Sequence, residues 1–369
     1  VGADDPPVIV ECSMLHTGEK MSKTQFRVGF MGRPMHASFQ GTAAKHPALE
    51  VVTCDITRPE EEIAAMLGGC YGYYCRASRD ELPRPWHVTP DFLGRFPKLL
   101  MIASYGAGYD TIDVDACTAA GVLVVNQAGG NAEGVAEHAL GMMLGLLKRI
   151  PEAHAILRAG ALKQREALMG RELVNRTVGI VGLGHVGTRT AELAKAFGCR
   201  VLAVDPYLDS ATCAERHAQK TDFATVLKES DIVTVHCPLT RETRGMFGAA
   251  QYAMMKQAAL FISTARGSIH DEDDLHAALV SGHLAGAGLD VWEKEPPGPA
   301  HPLLSHPAVM ASPHIAGVTH ESRERVATMA AEAFAIAASG KLPPRLLNPA
   351  AVDRFKARWS EAFGRKWPG

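Results

Sequence analysis

The chain has 369 residues, more than one hydrophobic core usually fills, so length alone predicts two domains. Apolar residues at 47% and charged residues at 21% exclude long disorder, and a formal net charge of −2 excludes the basic face of a nucleic-acid binder. A small-molecule partner is expected, with no nucleic acid and no membrane, since no uninterrupted apolar run approaches the roughly 20 residues of a membrane span.

The 8 cysteines lie scattered with no C-x-x-C pair and no zinc-type spacing, so no metal site is expected. The N-terminus lacks the basic-then-apolar plan of a secretory signal, and reduced thiols in a cytoplasmic protein are the expectation.

In chain order, residues 1–21 are Pro-rich and polar and read as a loose tail, with Met21 a candidate start. β-like runs follow at Phe26–Phe30, Leu49–Cys54, Tyr71–Cys75, Leu99–Ala103 and Val122–Val125, alternating with helical stretches, which implies a parallel sheet. Asn131–Ile150 reads as one long helix, with Val135, Ala139, Met142, Met143 and Leu146 on its apolar face.

Further runs at Thr177–Gly182, Arg200–Asp205, Ile232–Cys237, Ala259–Ala265, Ala287–Trp292 and Val309–His314 fit a doubly wound dinucleotide-binding domain. A helix from about Glu321 to Ser339 ends at Gly340. The predicted class is α/β with two Rossmann-like or flavodoxin-like domains. A nucleotide domain, 128–317, is inserted into a substrate domain, 22–127 plus 318–350, and 351–369 is left as a tail. The chain then crosses between domains twice, and the active site is expected in the cleft between them.

Gly182-Leu183-Gly184-His185-Val186-Gly187 matches GxGxxG between a strand and a helix, where backbone amides approach a pyrophosphate and the helix N-terminus favours its charge. Asp205 lies 18 residues beyond Gly187, at a strand end, where its carboxylate accepts both ribose hydroxyls of NAD and repels a 2′-phosphate. Arg266, Glu295 and His314 follow later strands on the same carboxyl edge of the sheet, where open α/β sheets bind ligands. Each alone reads as an ordinary structural residue; together they fit carbonyl reduction. Hydride arrival leaves negative charge on an oxygen, so His314 delivers a proton while Arg266 holds a carboxylate and polarises the carbonyl. A neighbouring Glu295 carboxylate orients the ring and favours its charged form.

The sequence resembles the D-isomer-specific 2-hydroxyacid dehydrogenase family, and within it the phosphoglycerate dehydrogenase branch, over about Arg27–Asn348. The resemblance is carried by Asn131-Ala132-Glu133-Gly134-Val135-Ala136-Glu137-His138, the glycine fingerprint, His236-Cys237-Pro238-Leu239-Thr240, Thr264-Ala265-Arg266-Gly267, Leu289-Asp290-Val291-Trp292-Glu293-Lys294-Glu295-Pro296 and Pro313-His314-Ile315-Ala316-Gly317. It implies NAD as cofactor and a small D-2-hydroxy acid as substrate, such as 3-phosphoglycerate, glycerate or glyoxylate's reduced form. It also implies a homodimer through the nucleotide domains, and it places the catalytic arginine, glutamate and histidine at Arg266, Glu295 and His314. It further assigns Pro238 to the adenine pocket, Thr264 and Asp290 to the nicotinamide side, His236 and Gly317 to the cofactor site as a whole, and Tyr105, Gly106, Ala107 and Gly108 to a loop whose amides grip the substrate carboxylate.

Two features depart from the family pattern. The stretch Arg76–Pro90, with Arg79, Arg84, Trp86 and His87, is longer than usual and reads either as a specificity lid or as surface decoration. The stretch after Asn348 is too short for the regulatory domain of many phosphoglycerate dehydrogenases, so feedback through one is not expected. The related formate dehydrogenases carry glutamine where Glu295 stands. Two alternatives stay open: oxidation of an inorganic anion such as phosphite, and a non-enzymatic, cofactor-sensing interaction protein of the same fold.

Overall fold

The computed structural model describes residues 25–32, 34, 36–162 and 164–369, so the N-terminal tail and Met21 lie outside the described residues. The chain divides into two compact units, one reaching to Ala128 and resuming at Glu324, the other spanning Gly129–Arg323.

The first unit holds a five-stranded sheet of β1 (Phe26–Met31), β2 (Leu49–Cys54), β3 (Gly72–Cys75), β4 (Met101–Ser104) and β5 (Leu123–Val125), in the order β2-β1-β3-β4-β5. All its pairings are parallel. A parallel sheet covered on both faces needs near-continuous apolar strands. β3, β4 and β5 meet that need, with every residue buried. One face packs on the helix His320–Ala338, whose Phe334 ring lies 6.4 Å from those of Phe26, Phe39 and Tyr74.

The segment 351–369 is not a tail. It forms the helix Val352–Phe363, whose Phe355 and Trp359 are fully buried in the same core. The Trp359 indole nitrogen donates to Ala337 O at 3.1 Å, and its ring meets Trp367 edge-on at 5.1 Å. The helix is hard to see in the sequence because half its residues are polar, five of them charged, and its apolar residues form one narrow stripe. The approach to this helix also closes an open sheet edge: Leu347 N donates to Val124 O at 2.8 Å, and Asn348 pairs with Val124 N and Val122 O at 2.8 and 2.9 Å. Trp359→Ala is therefore expected to destabilise the first unit by about 3–5 kcal/mol, the cost of emptying a large aromatic site. A urea titration showing a loss below about 1 kcal/mol would contradict that packing role.

The stretch Arg76–Pro90 is anchored. Trp86 is buried in a short 3-10 turn, Tyr73 Oη donates to Trp86 O at 3.3 Å, and Val88 bridges to Ile112.

The second unit holds seven parallel strands: β6 (Thr177–Val181), β7 (Arg200–Val204), β8 (Gln219–Lys220), β9 (Ile232–Val235), β10 (Ala259–Ser263), β11 (Leu284–Leu289) and β12 (Val309–Ala311), in the order β12-β11-β10-β9-β6-β7-β8. The predicted runs are all present. β8 is additional: its two residues, on the sheet's edge, are polar and carry no alternation to read. β11 begins three residues before its predicted start because Ala285 and Gly286, after Leu284, carry too little side chain to look strand-like. Strand order reverses between β6 and β9, which places the ligand crevice at their carboxyl ends.

Asn131–Ile150 is not one helix. The helix runs Ala132–Leu147, Arg149 turns left-handed at φ 55°, and a second helix runs Ile150–Arg158. Pro151 causes the break, because its ring clashes with the carbonyl of Leu147 and has no N–H to offer it. That carbonyl instead accepts Arg171 N at 2.7 Å.

Candidate active site

The glycine turn follows β6, at the strand-order reversal. Gly182 has φ 91°, and a Cβ there would stand 2.7 Å from Cys237 N, so only glycine lets the chain leaving β9 pass over the turn. The helix that follows runs His185–Ala196, so His185, Val186 and Gly187 form its first turn. Its cap, Gly184, has no side chain to occupy those amides, which leaves them to an anion. Asp205, just past β7, accepts Leu183 N and Tyr207 N, each at 3.0 Å, so its carboxylate is fixed beside the turn. A cradle of helix amides next to a fixed carboxylate fits a pyrophosphate joined to an unphosphorylated ribose, as in NAD.

His236 and Pro238 follow β9. The His236 ring lies 3.0 Å from Thr234 Oγ1 and 3.4 Å from Thr264 Oγ1, tying the ends of β9 and β10 together. Although the residue keeps some surface exposure, desolvation by the packing around its ring pushes the imidazole down to about 3, so it is neutral.

Arg266 leaves the end of β10 in an extended conformation, with Nη1 donating to Ala265 O at 2.7 Å. At the next residue, Gly267, a Cβ would fall 1.9 Å from the Trp292 carbonyl carbon. Glycine thus brings the loop after β10 against the loop after β11, which carries Glu295. Glu295 Oε2 lies 2.7 Å from His314 Nδ1, and Oε1 accepts Trp292 N at 3.1 Å. Burial resists ionisation of this carboxyl, but the His314 hydrogen bond and charge, the Trp292 amide and the nearby Arg266 charge outweigh it and hold Glu295 below the usual glutamate range. An ionised Glu295 can only accept, so Nδ1 carries the proton and Nε2 is the nitrogen left for chemistry.

The three residues thus meet on the second unit's carboxyl edge, and the loop that bears Glu295 is itself braced. Glu272 accepts Glu293 N at 2.8 Å and pairs with His301 Nε2 at 3.0 Å. Asp290 is fully buried at the end of β11 and uses both carboxylate oxygens on the His314 loop. Oδ1 accepts Ser312 Oγ and Ile315 N at 2.6 and 2.8 Å, and Oδ2 accepts Ala316 N at 2.9 Å. Gly317 follows, packed against Asn131. Sequence reasoning assigned no role to Ser312, Trp292, Glu272 or His138. His138 and Trp292 carried a signal, as members of family motifs; Ser312 and Glu272 carried none.

In the first unit, Tyr105 gives its amide to Cys75 O at 2.8 Å and packs its ring, tilted, against Tyr74 at 4.0 Å, so it serves the core. The next three carbonyls are tied inward: Gly106 O accepts Gln127 N at 2.9 Å, Ala107 O accepts Asn126 Nδ2 at 2.8 Å, and Gly108 O accepts Ser104 Oγ. Because each peptide N–H points opposite its carbonyl, the amides following Gly106 and Ala107 turn outward. At the end of β3 on the same sheet, Arg76 Nε is buried with no hydrogen-bond partner among the described residues. No group of three or more potential metal ligands occurs among the described residues, and no helix there is long and apolar enough to cross a membrane.

Comparison with known proteins matches residues 140–316 to the NAD-binding domain of D-isomer specific 2-hydroxyacid dehydrogenases. The chain is 41% identical over 258 residues to the D-3-phosphoglycerate dehydrogenase of Archaeoglobus fulgidus, a match covering 70% of this chain and 49% of that one. It is 39% identical over 259 residues to the glyoxylate reductase of Korarchaeum cryptofilum, covering 69% of this chain and 78% of the relative. The match therefore spans about half the length of the first relative and most of the second. Among solved structures, the D-lactate dehydrogenase of Aquifex aeolicus, complexed with NAD and lactic acid, superposes with a TM-score of 0.73 at 28% identity over 87% of this chain and 98% of that one. With the parallel seven-stranded sheet, the glycine turn and the relatives in agreement, the chain belongs to the D-isomer-specific 2-hydroxyacid dehydrogenase family, NAD-dependent oxidoreductases that act on a CH–OH group.

Proposed function

We propose that the protein interconverts a small 2-keto acid and its D-2-hydroxy acid, with Arg266, Glu295 and His314 as the catalytic residues. The observation that carries this reading is the 2.7 Å pair of His314 with an ionised Glu295 on the edge that also carries Arg266. NAD, when bound, supplies or takes the hydride. Arg266 pairs with the substrate carboxylate and polarises the keto oxygen as charge builds on it. His314 gives its Nε2 proton to that oxygen in reduction and recovers one in oxidation, while Glu295 keeps Nδ1 protonated and the ring aimed.

Gly182, Gly184, His185, Val186 and Gly187 are assigned to the pyrophosphate, Asp205 to the ribose, His236 and Pro238 to the adenine side, and Thr264 and Gly317 to the nicotinamide side, where Asp290 acts through the loop it holds. The outward amides of Ala107 and Gly108 are assigned to the substrate carboxylate. Arg76, with its unspent Nε–H, supports an anionic or hydroxylated substrate tail.

Steady-state NADH oxidation against glyoxylate, hydroxypyruvate, its 3-phosphate, pyruvate and longer 2-keto acids tests the reading. Turnover is expected with at least one, and none with any of them would overturn it in favour of a binding protein. Asp205→Asn is expected to weaken NAD binding and erode its advantage over NADP, since a carboxylate about 4 Å from a phosphate costs roughly 4 kcal/mol per unit charge at an effective dielectric near 20. An unchanged NAD to NADP ratio in kcat/KM would place the discriminating charge elsewhere.

A homodimer and a cytoplasmic location belong to the same proposal. The helix Ile150–Arg158 buries none of its residues, and Ile150, Leu157 and Met169 are 57, 68 and 75% exposed, an apolar surface suited to a second copy. Cys70, Cys75, Cys117, Cys199, Cys213 and Cys237 are free thiols, in keeping with a reducing compartment. Sedimentation equilibrium is expected to give a dimer mass that Leu157→Asp reduces; a monomeric parent protein would refute the dimer.

A further inference from the structure

The loop that carries His314 is held by more than the proposed reaction uses. His314 has φ 55°, a left-handed conformation that strains a non-glycine residue and persists only where the surroundings enforce it. Asp290 enforces it from both its groups: its carbonyl accepts His314 N at 2.7 Å, and its carboxylate accepts the next two amides. With those amides taken by an acceptor-only carboxylate, the Ser312 hydroxyl at 2.6 Å donates its single proton to Oδ1. Ser312 Oγ must then act as acceptor toward His138 Nε2, 2.9 Å away, which sets the His138 tautomer with its proton on Nε2. His138 stands on the rigid helix Ala132–Leu147, 174 positions earlier in the chain.

We propose that His138 is a positioning residue for His314: through Ser312 and Asp290 it holds the loop Ser312–Ala316 in the one conformation that presents the imidazole to Glu295. The proposal rests on His314 being the proton donor. The same chain of bonds gives Asp290 a task inside the protein, in place of direct contact with the cofactor. A residue acting this way changes the geometry of proton transfer and leaves cofactor binding alone, and a misplacement near 1 Å costs up to about 10²-fold in rate.

The test uses four variants of the whole protein: His138→Phe and Ser312→Ala, which break the chain of bonds, and His138→Gln and Ser312→Thr, which keep a donor and a hydroxyl in place. Kinetics with the best keto acid of the panel are paired with NADH fluorescence titration. His138→Phe and Ser312→Ala are expected to lower kcat by about 10–100-fold with the NADH Kd within about twofold, and the double variant to fall no further than the worse single one. The conservative pair is expected to recover most of the rate. Unchanged kcat in Ser312→Ala would overturn the proposal, as would a raised NADH Kd with normal kcat, or a His138→Gln no better than His138→Phe. Independently of turnover, the hydrogen-bonded Nδ1–H resonance of His314 in histidine-labelled protein, identified by its loss in His314→Asn, is expected to vanish in His138→Phe and survive in His138→Gln. Its survival in His138→Phe would equally refute the proposal. If His314→Asn is inactive while Ser312→Ala is fully active, this inference alone fails; if His314→Asn keeps full activity, the catalytic reading fails first.

Discussion

Arg266→Ala is expected to lower kcat/KM by at least about 10³-fold. Removing one charge-stabilising donor from a preorganised site costs about 2.7–4 kcal/mol, and here the same side chain is assigned both the substrate carboxylate and the developing oxyanion. Arg266→Lys keeps the charge and loses the planar fork, so it is expected to fall between alanine and the parent protein, with KM rising more than kcat falls. The cofactor site should be untouched, because the glycine turn and Asp205 hold each other through Leu183 N and do not involve Arg266. Steady-state kinetics with a parallel NADH titration would decide it. An alanine variant within tenfold of the parent value would remove Arg266 from the machinery, and with it the argument that three residues converge on one edge.

His314 is the second large effect. Loss of a general acid costs roughly 10²–10⁴-fold, and it should appear in kcat because proton delivery matters only once the oxygen carries charge. The backbone matters to the choice of variant. At φ 55° alanine would be strained, whereas asparagine tolerates the left-handed region, so His314→Asn separates loss of the imidazole from loss of the loop. The expected result is a kcat down by about 10²-fold or more with thermal stability and NADH affinity near the parent values. Near-normal turnover in that variant would show that another group supplies the proton.

These expectations differ in how directly they could be read from sequence. Local rules reach far in this chain. Short apolar runs separated by helical stretches predict parallel sheets, and glycines at Gly182, Gly184 and Gly187 between a strand and a helix predict an anion cradle, because both depend on backbone preferences expressed within a few residues. They weaken where local signals conflict. Pro151 ends a helix whose apolar face continues past it, and the helix Val352–Phe363 shows only a narrow apolar stripe among charges.

From the residues alone came the α/β class, the strands with their alternating helices, and the placement of Arg266, Glu295 and His314 beyond strand ends on one sheet edge. The two-residue β8, the break at Arg149 and the burial of Trp359 emerged only on folding. So did the use of Asp290, whose carboxylate is spent on the loop that carries His314, and the reach of His138 across 174 positions to Ser312. The physical reason is range. Helix and strand preferences are set by neighbours along the chain, whereas a buried carboxylate takes whichever donors the strand order brings within about 3 Å, and that order is settled only when the whole sheet assembles.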